Sequence, residues 1–279
     1  MTAKAAEMGA DAVINVRHIT TSVLGSAARL LEDVEMNAGF FNVYDDKERA
    51  DAYAKLEFPG TYYLAYRDLP AIIGEHVEGT KALDFGCGTG RSTRFLLELG
   101  FDPVVGVDIA EHMITHAREH DPQGEYRLVP DGDLSELASG TYDLALSVFT
   151  FDNIPTMQKK VSLFQSLKRL LKEGGRIVSL VSSPEIYVNE WASFSTKNFP
   201  QNRTAASGDK VRIVMLDVED KRPVEDILCT DEDYREVHKR AGLVPIKTCW
   251  PLANQTEPYA WVSETAIAPW VIYVLGHEE

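Results

Sequence analysis

The chain has 279 residues, 44% of them hydrophobic, and its 43 acidic and 28 basic residues give a formal net charge of −15. This charge repels phosphate backbones and no basic cluster interrupts it, so a nucleic-acid partner is not expected. No apolar run approaches the ~20 residues of a membrane span, and the first residues lack the apolar segment of a signal peptide, which predicts a cytoplasmic protein without a membrane contact.

The three cysteines are Cys87, Cys229 and Cys249, and none of them forms a CxxC pair. Scattered thiols of this kind are typical of proteins in a reducing compartment. Because no close cluster of histidine and cysteine occurs either, we expect no metal site.

Helical patterns occupy residues 1–79, which we predict to form an N-terminal helical cap. Apolar residues recur at helical spacing from Ser22 to Met36, and Gly39 follows as a stop signal. A further helix, dense in aromatic residues, is predicted from Tyr62 to Ile73. The helix from Ser22 could cover a site or form the contact of a homodimer.

Strands and helices alternate from Thr80 onward. The strands are short and rich in valine, leucine and isoleucine, which is typical of a parallel sheet covered on both faces. They are predicted at 81–85, 104–107, 126–129, 142–149, 176–181, 243–248 and 270–275, with helices at 91–99, 111–119, 157–172 and 231–241. We therefore predict an α/β fold with a doubly wound, mostly parallel, seven-stranded sheet in a domain spanning 80–279.

The alternation breaks after the fifth strand, where an insertion of about 182–230 is predicted. Residues 182–210 are polar and aromatic and too long for a simple connection. Two strands joined by a turn at 220–223 are predicted to follow. The sixth strand should run parallel to the others, so the connection 250–269 should leave the sheet at the carboxyl ends of the strands, where ligands bind in such folds.

A glycine-rich turn follows the first strand, with the sequence LDFGCGTG at 83–90. Glycines at this place let a ligand approach the backbone closely. A dinucleotide fingerprint would need a small residue at position 91, which is Arg91, and a phosphate-binding P-loop would need a Gly-Lys-Ser/Thr that is absent. Asp108 ends the second strand, where a carboxylate can accept hydrogen bonds from both hydroxyls of a ribose.

The turn LDFGCGTG together with VVGVDIA at 104–110 resembles the class I S-adenosylmethionine-dependent methyltransferases. The segments VPDGDL, GTYDLALSVFTFDNI and LKRLLKEGGRIVSL follow in the order that this family uses. The resemblance covers roughly residues 80–182. It implies S-adenosylmethionine as the cofactor and S-adenosylhomocysteine as its product.

The resemblance also implies cofactor contacts, residue by residue. Gly86, Cys87 and Gly88 would line the methionine portion. Asp108 would bind the ribose and Ile109 would pack on the adenine. Either Asp131 or Asp133, with Gly132 between them, would lie near the adenine amino group.

Two further cofactor contacts are implied. Phe149 would face the sulfonium. In the cap, Tyr62 and Arg67 would reach the carboxylate of the cofactor, for which Arg91 is a competitor.

The acceptor side is predicted from the segments that surround this edge of the sheet. Aromatic residues of the insertion and of the connection 250–269 suggest a lid over an organic acceptor. The candidate substrate contacts are Asn153, Trp191, Phe194, Tyr259 and Trp261. Asp152 is the candidate general base, which is needed only if the acceptor keeps its proton at neutral pH.

The function that follows is methyl transfer from S-adenosylmethionine to an oxygen or nitrogen of a small organic acceptor. Three alternatives stay open. The chain could bind S-adenosylmethionine without transferring methyl, as a pericyclase-like enzyme or regulator. It could methylate a protein or RNA, or it could use a nicotinamide cofactor.

Overall fold

The computed structural model describes residues 46–56 and 59–277. The predicted helix from Ser22 to Met36 and the stop at Gly39 lie outside these residues. Three helices precede the sheet in the described part of the chain: α1 (Lys47–Ala54), α2 (Thr61–Arg67) and α3 (Leu69–His76). The single helix predicted from Tyr62 to Ile73 is divided at Asp68, because Pro70 lacks the N–H that an uninterrupted helix needs and suits the first turn of a new one.

A seven-stranded sheet forms the centre of the molecule, with the strand order β3-β2-β1-β4-β5-β10-β9. The strands are β1 (Ala82–Phe85), β2 (Val104–Asp108), β3 (Glu125–Leu128), β4 (Tyr142–Val148), β5 (Leu171–Ser182), β9 (Leu243–Cys249) and β10 (Trp270–His277). All seven predicted strands are found, and the α/β class is confirmed.

The directions of the strands determine at which edge of the sheet each connection lies. Strands β1 to β5 pair in parallel. Strand β10 runs antiparallel to both β5 and β9, so β9 is parallel to the others, as predicted. Trp270 lies opposite Ser182, and the connection 250–269 therefore leaves and re-enters the sheet at the carboxyl ends of the parallel strands.

Four helices cover the sheet: α4 (Arg91–Glu98), α5 (Glu111–His120), α6 (Met157–Leu170) and α7 (Asp231–Arg240). Threonine hydroxyls cap the last two, since Thr156 accepts from the amide of Lys159 at 3.1 Å and Thr230 from that of Asp233 at 3.2 Å. One core cluster includes Leu64 and Leu69 of the N-terminal helices together with Leu144 and Val178 of the sheet. The described part of the predicted cap therefore shares a hydrophobic core with the sheet.

The insertion contains a small antiparallel sheet made of β6 (Phe194–Ser195), β7 (Lys210–Met215) and β8 (Val224–Ile227). Its buried side packs on the N-terminal helices, where the Tyr62 hydroxyl lies 3.0 Å from the sulfur of Met215. No helix in the described residues is long and apolar enough to cross a membrane.

Candidate active site

Two cavities lie at the carboxyl ends of the parallel strands. The first is called here the donor cleft. It lies where β1, β2 and β4 end. Its lining consists of Tyr53, Phe85, Gly86, Gly88, Val107, Asp108, Ile109, Met113, Val129, Gly132, Val148, Phe149, Thr150, Asn153 and Ile154.

The glycine turn forms one wall of the donor cleft. Gly86 and Gly88 have φ angles of 76° and 52°, in the left-handed region that side chains disfavour. A Cβ on Gly86 would overlap the side chain of Thr150, whereas a Cβ on Gly88 would meet nothing within 4 Å. Gly86 is thus required by the fold, and Gly88 leaves its backbone open to a ligand.

The carboxylate of Asp108 lies beside this turn. It accepts hydrogen bonds from the amide of Gly88 at 2.9 Å and from that of Ala110 at 2.8 Å. The next residue, Ile109, lines the cleft. Asp108 and Ile109 therefore lie together in the wall of the cleft, and their roles toward the ribose and the adenine stay predictions.

Asp84 lies beneath the turn and is fully buried. One carboxylate oxygen accepts from the hydroxyls of Ser92 at 2.7 Å and Thr93 at 2.6 Å, while the other oxygen, Oδ1, is buried and has no hydrogen-bond partner among the described residues. Burial raises the pKa of Asp84 to about 6. The residue was not predicted as functional; here it anchors the start of α4 under the turn.

Cys87 does not line the donor cleft, contrary to the prediction. Its side chain is buried in a small cluster with Ile114, Ala117 and Tyr126, on the far side of the turn. The alternation of side chains along the turn directs position 87 into the core. Burial raises the pKa of its thiol well above the ordinary value, which makes a reactive thiolate unfavourable.

The segment 131–133 lies at the adenine end of the cleft. Gly132 lines the cleft, while Asp131 and Asp133 have exposed side chains. The carboxylate of Asp133 accepts from the amide of Ser135 at 2.8 Å, which lowers its pKa and ties it to its own turn. Asp131 has a φ of 54°, a conformation that aspartate tolerates better than most residues. Of the three residues only Gly132 lines the cleft, and the choice between Asp131 and Asp133 stays a prediction.

A second cavity, called here the insertion chamber, lies between the end of the sheet, the N-terminal helices and the insertion. Its lining consists of Tyr53, Tyr62, Phe149, Asp152, Asn153, Ser182, Ile186, Tyr187, Phe194, Ile213, Met215, Val224, Asp226 and Trp270. Three residues, Tyr53, Phe149 and Asn153, line both cavities, so the two spaces adjoin.

Phe149 stands between the two cavities. It has a φ of 64°, which is unusual for a bulky residue, and its amide donates to the carbonyl of Leu180 at 2.9 Å. The ring packs against Trp270 at a centroid distance of 4.7 Å and against Tyr62 at 6.2 Å. Backbone strain of this kind is often found at functional sites.

Tyr53 of α1 was missed by the sequence analysis. It lines both cavities, because α1 packs its Ala50 against Ala110 and Met113 at the start of α5. Burial raises the pKa of its hydroxyl to about 12. No motif marks this tyrosine, and only the packing of the helix against the sheet domain brings it to the site.

The cap residues were predicted to reach the cofactor carboxylate, and the structure places them elsewhere. Arg67 pairs with Asp68 and Glu257, each at 2.7 Å, and donates to the carbonyl of Leu252 at 3.0 Å. It lines neither cavity, because two carboxylates hold it at the connection 250–269. Tyr62 is buried and lines the insertion chamber instead of the donor cleft.

The aromatic candidates for the acceptor divide into two groups. Phe194 and the polar candidate Asn153 line the insertion chamber. Trp191, Tyr259 and Trp261 do not. Trp191 is buried and donates to the carbonyl of Ile186 at 2.8 Å. Tyr259 stacks between Tyr63 and Trp261, with ring centroids at 5.2 and 5.1 Å, so these side chains stabilise the connection itself.

Asp152, the predicted base, lines the insertion chamber and is buried. Both of its carboxylate oxygens lie within hydrogen-bond distance of the amide of Ser182, at 3.2 and 3.0 Å. Burial raises its pKa to about 6. The backbone at the end of β5 therefore holds this carboxyl group in one orientation.

A second buried acid in the chamber, Asp226 of β8, was missed. The hydroxyl of Tyr187 donates to its Oδ2 at 3.0 Å. Burial first and the nearby Asp152 second raise the pKa of Asp226 to about 8. The sequence signal was its place in the alternating strand VEDI, where position 226 faces inward.

This raised pKa predicts a pH-dependent stability. A carboxyl group whose pKa rises from 3.8 to about 8 on folding contributes stability that is fully present below pH ~4 and is lost as the pH rises through ~8. We expect Asp226→Asn, which stays uncharged, to lose less thermal stability than the wild type between pH 6 and 9. Melting curves across this range measure the difference.

The neighbouring acid on the same strand is the matched control. Glu225 lies outside the chamber and pairs with Lys210 at 2.6 Å and Arg212 at 3.0 Å, which lower its pKa. Glu225→Gln should change the melting temperature by nearly the same amount at pH 6 and pH 9, because Glu225 is only the smallest of the causes that raise the pKa of Asp226. An equal shift for Asp226→Asn would contradict the assignment of a raised pKa to Asp226.

The described residues contain no group of three His, Cys, Asp or Glu side chains that could hold a metal ion. A parallel sheet with an open glycine turn after β1 and a carboxylate at the end of β2 defines instead a protein that binds a nucleoside-containing ligand. The open backbone at Gly88 and the carboxylate of Asp108 fit the nucleoside of S-adenosylmethionine.

Comparison with known proteins supports this class. Residues 83–179 match the family model described as a methyltransferase domain. The N-demethylindolmycin N-methyltransferase of Streptomyces griseus is 26% identical over 200 residues, which cover 71% of this chain and 83% of that protein. A ubiquinone biosynthesis O-methyltransferase of Acinetobacter baylyi is 31% identical over 113 residues, and these span 38% of this chain and 46% of that protein.

Solved structures share the fold. An S-adenosylmethionine-dependent methyltransferase from Clostridium acetobutylicum aligns with a TM-score of 0.55 at 13% identity, covering 85% of this chain and 100% of that one. The CcbJ methyltransferase from Streptomyces caelestis aligns with a TM-score of 0.56 at 16% identity, covering 80% and 100%. Residues 83–179 therefore form a methyltransferase domain of the S-adenosylmethionine-dependent kind, and S-adenosylmethionine is its cofactor.

Proposed function

We propose that the protein transfers the methyl group of S-adenosylmethionine to an oxygen or nitrogen of a small organic acceptor. The observation that carries this proposal is the shared wall of the two cavities. Phe149, Asn153 and Tyr53 line both the donor cleft and the insertion chamber. A donor bound in the cleft and an acceptor bound in the chamber would meet at these residues.

The cofactor supplies an activated methyl group on a sulfonium, so the protein has to align the reactants and exclude water. In this proposal Gly86, Gly88 and Asp108 hold the donor, with Ile109 and the segment 131–133 at its adenine. Phe149 lies beside the reacting centre.

The chamber favours a small acceptor over a macromolecule. Four aromatic residues of its wall, Tyr62, Tyr187, Phe194 and Trp270, are at most 5% exposed. A protein or RNA acceptor would need a recessed side chain or base to pass this wall, and the net charge of −15 opposes RNA. The N-methyltransferase and O-methyltransferase relatives are consistent with a small acceptor at either atom.

Incubation with methyl-labelled S-adenosylmethionine and a panel of small amines, phenols and alcohols tests the proposal. We expect label in at least one acceptor, with equimolar S-adenosylhomocysteine. Tight binding of S-adenosylhomocysteine without any transfer across the panel would contradict it and favour a protein that binds the cofactor without methyl transfer. Transfer to RNA or protein alone would favour a macromolecular acceptor.

A further inference from the structure

The insertion chamber is lined by two buried acids, and a buried lysine outside the lining acts on both of them electrostatically. Asp152 is 5% exposed, Asp226 is 8% exposed and Lys160 is fully buried. The electrostatic field of each acts on the others: Lys160 lowers the pKa of both acids, and Asp152 raises that of Asp226. With both carboxyl groups ionised, this group of residues would hold one uncompensated negative charge, which a buried site tolerates poorly.

Among the described residues Lys160 forms an ion pair with neither acid, and what distinguishes Asp152 is its backbone surroundings. The ammonium group of Lys160 donates to the carbonyl of Phe151, the residue before Asp152, and Asp152 is held by the amide of Ser182. Asp152 therefore has both a backbone donor and a neighbouring cation. Its orientation is set by the protein and needs no ligand.

Asp226 has less support. Among the described residues, the hydroxyl of Tyr187 is the hydrogen-bond donor to its carboxyl group, and no cation lies within the 4.0 Å of an ion pair. With these neighbours alone, the burial of the group favours its protonated form. A ligand that brings a positive charge would fit the ionised form.

We propose that the methyl acceptor is a small organic amine and that Asp226 binds its protonated amino group and then accepts its proton. This rests on the function proposed above and names the class of acceptor. An alcohol or phenol brings no cation to the chamber, and a carboxylic acid would add a third negative charge. An ammonium group supplies the one positive charge that would compensate the second carboxylate.

The reaction balances with the groups present. The bound ammonium gives one proton to the Asp226 carboxylate and becomes a neutral amine with a free lone pair. That lone pair forms a bond to the methyl carbon while the carbon–sulfur bond breaks, and its electron pair stays on sulfur. The methylated amine leaves as a cation beside neutral S-adenosylhomocysteine, and Asp226 returns its proton to water.

The charged and titratable groups around Asp226 come from each element that packs on it. Asp152 follows β4, Lys160 lies on α6, Tyr187 lies in the short helix Pro184–Tyr187, and Glu225 precedes Asp226 on β8. Asp152 and Glu225 raise the pKa of Asp226, and Tyr187 and Lys160 lower it. The rate of amine methylation at low acceptor concentration should rise as the pH approaches ~8, because the carboxylate that binds the ammonium forms in that range.

The test compares Asp226→Asn with Glu225→Gln on matched pairs of acceptors, such as phenethylamine with phenethyl alcohol and tryptamine with tryptophol. We expect the wild type and Glu225→Gln to methylate amines in preference to their hydroxyl partners. Asp226→Asn should lose about 10²–10⁴-fold in kcat/KM on the amine and lose the rise with pH. Its affinity for S-adenosylhomocysteine should stay within about twofold, since Asp226 does not line the donor cleft.

The outcomes separate the two proposals. Transfer to alcohols or phenols with no preference for amines would overturn the amine assignment while leaving the methyl transfer intact. An unchanged amine rate and pH profile in Asp226→Asn would overturn the role of Asp226. Failure of the wild type to methylate any small acceptor would instead contradict the function proposed above.

Discussion

Replacing Asp108 with alanine is expected to remove most of the stabilisation that S-adenosylhomocysteine gives to the wild type. The carboxylate lies at the end of β2, next to the open turn at Gly88, where it can accept hydrogen bonds from both ribose hydroxyls. Hydrogen bonds to a charged group contribute about 1.5–3 kcal/mol each. Losing two of them should weaken binding by at least ~100-fold, measured by calorimetric titration and by the shift in melting temperature.

The variant also removes the acceptor for the amides of Gly88 and Ala110, so part of the loss would come from a less ordered turn. Glu98→Ala, at an exposed position on α4, controls for the removal of an acidic side chain. If Asp108→Ala keeps the full melting shift with S-adenosylhomocysteine, the ribose assignment is wrong.

Gly86 and Gly88 should respond differently to the same substitution. Gly86→Ala should lower the melting temperature of the ligand-free protein by about 5–15 °C. A left-handed alanine costs about 1–2 kcal/mol, overlap with Thr150 adds about 1–3 kcal/mol, and each kcal/mol lowers the melting temperature of a protein of this size by about 2–4 °C.

Gly88→Ala is the matched control, because its methyl group would enter the open donor cleft. It should lower the stability only by the cost of a left-handed alanine, and it should weaken the binding of S-adenosylhomocysteine. Thr150→Ala removes two of the three atoms that a Cβ on Gly86 would overlap, so it should restore part of the stability of Gly86→Ala. Equal losses of stability in the two glycine variants would contradict this account.

The order of the strands and helices was predictable because each element carries its own periodicity. The parallel strands are continuous apolar runs, and the glycines that follow the helices mark their ends. The predicted bounds of the sheet helices differ from the observed ones by one or two residues. The divided helix at Asp68 was missed because Pro70 is compatible with the first turn of a helix as well as with a break.

The residues proposed to hold the cofactor could also be predicted from the sequence alone. Gly86, Gly88, Asp108 and Ile109 lie on two adjacent strand ends, so a short motif places them all. Cys87 is the exception, because the direction of a side chain within a turn depends on the backbone angles and not on the spacing.

The residues that line the insertion chamber could not be predicted in this way. Arg67, Trp191, Tyr259 and Trp261 have the expected residue types, yet they face other parts of the protein. Tyr53, Tyr187 and Asp226 come from three distant segments and line one chamber. Their meeting depends on how α1 and the insertion pack on the sheet, which involves contacts far apart in the chain.

The sequence by itself determined the class of fold and the cofactor, because local periodicity and a compact motif encode them. Only the tertiary structure decided which aromatic residues line the insertion chamber and which acids are buried in it. Desolvation and the field of neighbouring charges set the protonation of Asp152 and Asp226. Both effects depend on distance in space, which a linear sequence does not record.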